Sequence, residues 1–479
     1  MGRQRRHLSE EERRMKRRMK RIVDMTLAWV LFIVLIGLAG YGVVRVVMKG
    51  ADRLDFSWVD KTQTISASQT TNPNDTSEPS QNTDNSSKEQ DKDNITSAIQ
   101  QMVEDEIEIE VPDIPASEEP SEEELLEAAI ERFIASMSLE DKVAGLFIVS
   151  PEQLTGVSKA TKAGDGTKVA LDKYAVGGII YSDINITKEA QFKEMVSKTA
   201  QMARYPLFLA LDEEPGNTVL AKKLKLSETN SAAKIGAGKD ALESYLAGKT
   251  IAEYLNEYGI NLNLGIVAEA ATGAAGISSD RLFGSNKSLV GPMVTNLIKA
   301  YKGEQINTAI KYFPGQAGGA ADTAYGMSVT QRSKDEMDTL EIPLFADAVA
   351  AGADIIVVSH VSAPKITGDN TQCSRSKYIM SELIRKEMGL EDIIIMTDAM
   401  NKAAITEYYE SGEACITSIK AGADMILLPE NFEDAYREVL NAVNSGVIAK
   451  ERVDDSLKRI YKVKFKGKNP DDIDAMIQQ

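Results

Sequence analysis

Residues 354–360 read DIIVVSH, and residues 392–398 read DIIIMTD. Each is an unbroken apolar run, mostly β-branched, that opens on an aspartate and closes on a hydroxyl and an ionisable side chain. Runs without polar alternation suit strands covered on both faces of a parallel sheet. Residues 361–391 between them leave room for the helical crossover that two parallel strands require. The same unit recurs outward in both directions, as AGLFIV (144–149), VGGIIY (176–181), LFLALD (207–212), INLNLG (260–265), TAIKYF (308–313) and DMILLP (424–429). Eight apolar runs separated by helix-length segments predict an α/β fold of the (β/α)8 TIM type, with a doubly wound open sheet as the alternative.

The flanks of this body have other characters. Residues 1–24 are crowded with Arg and Lys and read as a basic cytoplasmic tail. Residues 25–48 open with MTLAWVLFIVLIGLAGYGVV, an uncharged run about as long as the ~20 residues that span a bilayer. The heavier basic load before it predicts a single-pass membrane protein with the N-terminus inside and the barrel outside. A cleaved signal peptide is the competing reading, but no small-residue cleavage site follows. Residues 49–121 are Ser, Thr, Asn, Asp, Glu and Gln with few apolar side chains, which predicts a disordered polar linker. Helical periodicity begins near Glu122, Ser138 with Glu140 and Asp141 marks a helix start, and RVDDSLKRIYKVKFK (452–466) reads as a closing helix. The folded body therefore spans 122–470.

Composition narrows the chemistry. A net charge of -17 in an otherwise acidic body argues against nucleic acid as a partner. The basic tail points instead to anionic lipid beside the span. Cys373 and Cys415 are the only cysteines; the spacing fits no zinc site, and two buried thiols are expected, with a single bridge as the alternative. No metal or organic cofactor is implied. Histidine, the usual proton shuttle near neutral pH, occurs only as His7 and His360. GAGKD (236–240) has part of a phosphate-loop pattern but lacks its remaining glycine and hydroxyl, so it reads as a loop or helix start.

In a barrel, function gathers where strands end. Those positions hold Asp212, Glu213 and Glu214 after the third run, Glu269 and then Arg281 after the fourth, Lys311 and Tyr312 in the fifth, His360 after the sixth, and Asp398 after the seventh. Carboxylates and cations at one mouth suit a polyhydroxylated ligand, which needs both donors and acceptors. A purely structural ion-pair network is the plainer alternative.

The ordered segments MSLEDKVAGLFIV (137–149), VGGIIYSDINI (176–186), PLFLALDEEPG (206–216), GINLNLGIVAEA (259–270), SSDRLFGS (278–285), IKYFPGQAGGAADT (310–323), IRKEMGLEDIIIMTDAM (384–400) and AGADMILLP (421–429) together resemble the N-terminal barrel of family 3 glycoside hydrolases, above all its single-domain β-N-acetylglucosaminidases. The resemblance implies Asp398 as the nucleophile of a retaining mechanism, and Asp212, Arg281 and Lys311 as sugar ligands, joined by Glu214, Tyr312 and His360. It also exposes departures. The family's E-G-G-R-V stretch reads Glu214, Pro215, Gly216, Asn217, Thr218. Its Lys-His pair reads Lys311-Tyr312. Its D-S-H acid/base element reads Asp322-Thr323-Ala324, which leaves Asp322 as the remnant of the dyad, and the preceding loop histidine reads Gln316. Asp322, Glu269 or Glu214 would have to replace the missing acid, unless a protein partner supplied one. The expectations are a membrane-anchored protein that cleaves or recognises β-linked N-acetylglucosamine-type glycans of a cell wall. Its rivals are a catalytically impaired glycan- or protein-binding module and an envelope scaffold.

Overall fold

The computed structural model describes residues 120–477, apart from 272 and 275. The basic tail, the span predicted at 25–48 and nearly all of the linker lie outside the described residues. Among those described, no helix is long and apolar enough to cross a membrane.

Folding begins where the helical pattern does. Ser121 caps the helix Glu122–Ser136 in a reciprocal box with Glu124, and the helix buries Ala129, Ile130, Phe133 and Ile134 on one stripe. Phe133 meets Tyr461 and Phe465 edge-on at 4.9 and 5.0 Å, so the first helix packs on the closing helix Lys450–Lys464. Ser138 caps Leu139–Ala144 as its sequence predicts. A further helix, Pro470–Ile477, carries the folded body past residue 470, and its Asp474 pairs with Arg132 of the first helix at 2.6 Å.

All eight apolar runs become parallel strands: β1 Phe147–Val149, β2 Gly178–Ile180, β3 Phe208–Leu211, β4 Leu262–Val267, β5 Asn307–Phe313, β6 Ile355–Val358, β7 Ile394–Thr397 and β8 Ile426–Leu427. Their order is β7-β6-β5-β4-β3-β2-β1-β8. A parallel bridge between Met396 and Met425 joins the two ends, and the alternative open doubly wound order is not found. The arrangement is a TIM-type α/β fold with eight strands in a nearly closed ring. Most strands are shorter than the apolar runs, although flanking residues still bond across the ring, as the Tyr181 amide does to the Ala210 carbonyl and the Ser359 amide to the Phe313 carbonyl.

Opposite ends of the ring have different tasks. At the N-terminal end Lys464 donates to the carbonyls of Gly177 and Pro206, both at 2.8 Å, and Asp424 pairs with Arg385, Arg452 and Arg459. A cleft of about 1220 Å³ also opens at this end, beside Asp354 and Ile393, which precede β6 and β7. The predicted site residues lie at the other end. GAGKD ends the helix Ala232–Gly238 and, through its turn, starts the next: Asp240 caps Ala241–Glu257. Cys373 and Cys415 are both buried and unbridged.

Candidate active site at the barrel mouth

The mouth is built from loop ends that the strands hold in place. After β3, Glu214, Pro215, Gly216 and Asn217 form a tight turn with backbone bonds in both directions between Glu214 and Asn217. Proline in the second position and glycine in the third, at φ 72°, are the residues such a turn asks for. A Cβ at Gly216 would also lie 2.5 Å from the Ser231 backbone. Glu213 anchors this loop from below. Its carboxylate accepts from the amides of Val219 and Leu220 at 2.7 Å and from the Tyr254 hydroxyl at 2.6 Å. Gly265 of β4 permits the approach, since a Cβ there would meet the Glu213 carbonyl at 2.0 Å.

Four of the predicted residues then form one charged network. Lys311 of β5 donates to both oxygens of Asp212 at 2.7 and 2.8 Å and pairs with Glu214 at 2.7 Å. Arg281 grips Glu214 with two bonds of 2.8 and 2.7 Å and donates to the Tyr312 hydroxyl at 2.9 Å. Burial alone would raise the Glu214 pKa, but the charges of Lys311 and Arg281 bring it down to about 2. Burial would likewise discharge Lys311, but Asp212 and Glu214 keep it protonated. Asp212 is the open member, with 45% of its side chain exposed against 3% for Lys311.

Asp398 follows β7 on the opposite side of the mouth. Its backbone amide donates to the Val358 carbonyl of β6. Its carboxylate accepts from the Ala399 amide at 2.8 Å and from the Lys402 ammonium at 2.6 Å. Burial opposes its charge, yet Lys402 and that amide hold the carboxyl below the usual range. Tyr312 bridges the two sides. The ammonium groups of Lys402 and Lys311 lie 5.1 and 5.3 Å from its ring centre, and the Arg281 guanidinium carbon lies at 5.7 Å. Asp212, Glu214, Lys311, Arg281, Tyr312, Lys402 and Asp398 are therefore one contiguous set.

The remaining candidates are placed differently. His360 is fully buried. One ring nitrogen meets the Ser374 hydroxyl at 2.7 Å and the other the Ala399 carbonyl at 2.9 Å. The carbonyl can only accept, so Nε2 carries the proton and Nδ1 receives one from Ser374. Burial lowers its pKa to about 4. His360 thus supports the backbone beside Asp398 and does not reach the mouth as a ligand. Glu269, whose pKa burial pushes up to about 7, is also internal: it accepts the amides of Tyr312, Gln316 and Ala317. Gln316 is buried, donating to the Gly276 carbonyl and accepting from Thr323 and Ser359 hydroxyls. It knits the loops after β4, β5 and β6 together. Asp322, half-buried, caps the turn Thr323–Tyr325 by accepting the Ala324 amide at 2.9 Å, and its charge acts on Lys402. Lys402 is the member that strand-end reasoning missed. Its four-residue spacing from Asp398 was the available signal, but that spacing brings charges together only when the chain turns back on itself. Among the described residues no group of three or more His, Cys, Asp or Glu side chains is arranged to hold a metal ion.

The carboxylates and cations thus gather at the C-terminal strand ends of a TIM-type ring, the face where such barrels place their sites. Residues 138–463 match the glycosyl hydrolase family 3 N-terminal domain, and the chain belongs to that family. It is 24% identical over 325 residues to beta-hexosaminidase A of Pseudoalteromonas piscicida, covering 62% of this chain and 54% of that protein. To the beta-hexosaminidase of Hydrogenovibrio crunogenus it is 26% identical, covering 56% of this chain and 75% of that one. Among solved structures, a family 3 β-N-acetylglucosaminidase from a Paenibacillus species superposes with a TM-score of 0.64 at 27% identity, over 71% of this chain and 63% of that one. The chain thus spans about half the length of the Pseudoalteromonas relative and under two thirds of the Paenibacillus one.

Proposed function

We propose that this chain binds β-linked N-acetylglucosamine-type residues at the barrel mouth and holds the nucleophile half of a retaining glycosidase without the acid half. The contiguous set from Asp212 to Asp398 carries this reading. Asp212, Lys311 and Arg281 offer the acceptor and donors that sugar hydroxyls need, and Asp398 offers an ionised carboxylate across from them. In a retaining mechanism that carboxylate attacks the anomeric carbon as the bond to the leaving oxygen breaks. The leaving oxygen then needs a proton. His360 is neutral and occupied, while Glu214 and Glu269 are saturated by cations and amides. Asp322 is the best-placed carboxyl left. A positioned acid contributes ~10² to 10⁴-fold, so ordinary O-glycosides are bound and turned over slowly, while substrates with good leaving groups react. The span and linker read from the sequence would place the barrel outside the cell membrane, against glycan.

A second reading, a binding module without chemistry, is favoured by one observation: Asp398 is already paired with Lys402. An aryl β-N-acetylglucosaminide with a low-pKa leaving group separates the two. The first reading expects a covalent sugar adduct on Asp398, absent in Asp398→Asn. Sugar binding without an adduct leaves the binding module, and no sugar binding at all defeats both.

A further inference from the structure

Lys402 is an ammonium held 2.6 Å from the carboxylate that would have to attack, with 19% of its own side chain and 5% of that of Asp398 exposed. It lies over the Tyr312 ring, which is itself fastened by Arg281. The lysine therefore occupies the approach to Asp398 rather than extending into solvent.

We propose, resting on the glycosidase-type reading above, that Lys402 is an internal occupant of the nucleophile's seat, a positioning residue that must move aside before Asp398 can reach an anomeric carbon. An ionised carboxylate paired with an ammonium keeps its charge, but the ammonium sits on Oδ2 and lowers its nucleophilicity and access. The sugar competes with the lysine for that carboxylate, which disfavours covalent capture more than binding. The groups facing the pair are Asp322 from the turn after β5, Tyr312 from β5 and neutral His360 behind β6. The chemical step balances without further reagents: Asp398 forms the ester bond to the anomeric carbon, the aryl oxygen leaves as phenolate with the bonding pair, and Lys402 keeps its proton. Water later cleaves the ester, returning free sugar and the carboxylate.

The test compares the full chain with Lys402→Met and Lys402→Arg, using 2,4-dinitrophenyl β-N-acetylglucosaminide. Phenolate release in the first turnover, adduct mass and a thermal melt are read for each. Lys402→Met is expected to label about tenfold faster or more, since no ion pair has to be parted. The acid limb of its pH profile should move to higher pH, because Asp398 has lost its cation. Lys402→Arg should label like the parent. If the parent forms the adduct and a cooperatively melting Lys402→Met labels no faster, Lys402 is not an occupant, although the nucleophile reading stands. If neither labels while both bind N-acetylglucosamine by calorimetry, the nucleophile reading falls and the inference with it.

Discussion

The two sides of the barrel mouth are held by different electrostatics. On the β3–β5 side, two cations and two carboxylates share several bonds, and Glu214 alone accepts from both Arg281 and Lys311. On the β6–β7 side, a single ion pair, Asp398–Lys402, rests on a backbone that His360 braces in its neutral form. The first side is a shared network that keeps a fixed shape. The second is one contact that can be exchanged. The proposed sugar site would use that division, with one wall to orient the ligand and one carboxylate whose partner can be displaced.

That contrast can be broken most sharply at Glu214. Glu214→Ala leaves Arg281 and buried Lys311 without their common partner. It should cost about 3–5 kcal/mol in chemical denaturation; a loss no larger than at Asp398 would erase the distinction between the two sides. The next effect concerns His360. Its unfolded pKa of 6.5 falls to about 4 in the folded chain, so the unfolded chain takes up the proton first as pH falls. Stability present above pH 6.5 is therefore lost on descending towards pH 4, by about 2–3 kcal/mol. The stability difference between the parent and His360→Gln should shift by that amount across the range, against the opposite slope that Glu269 gives both chains. Asp398→Asn removes the charge but keeps an oxygen to which Lys402 or the Ala399 amide can still donate, so about 1–2 kcal/mol is expected, together with complete loss of the sugar adduct by mass spectrometry. Asp212 is the mildest for stability. It is nearly half exposed, so Asp212→Asn should cost about 0.5 kcal/mol after solvent screening, while affinity for N-acetylglucosamine measured by calorimetry should fall about tenfold.

The residues also show where sequence reading stops. Asp212, Glu214 and Asp398 were found because each follows or ends an apolar run, and Lys311 because it is the one charge inside the fifth run; strand ends in a parallel ring converge on one face. The turn at Glu214–Asn217 was equally readable from its Pro-Gly centre, although comparison with the family had cast Pro215 only as a departure. His360 met the same strand-end criterion and was read as a sugar ligand, yet it points inward, because its ring finds Ser374 and the Ala399 carbonyl from two other segments. Gln316 was read only as a lost histidine, whereas its amide ties three loops that lie far apart in the chain.

By itself the sequence determined the eight strand segments, the capped helix start at Ser138, and the end of the ring at which ionisable groups collect. Those follow from local physics: apolar runs that must be covered, hydroxyls that cap exposed amides, and polar residues that meet water where strands finish. Tertiary structure alone decided that Lys402 holds Asp398, that His360 is neutral, and that Glu214 is saturated while Asp212 is open. Each depends on which loops arrive within about 3 Å of one another, the reach of a hydrogen bond. No period or spacing along the chain encodes that distance.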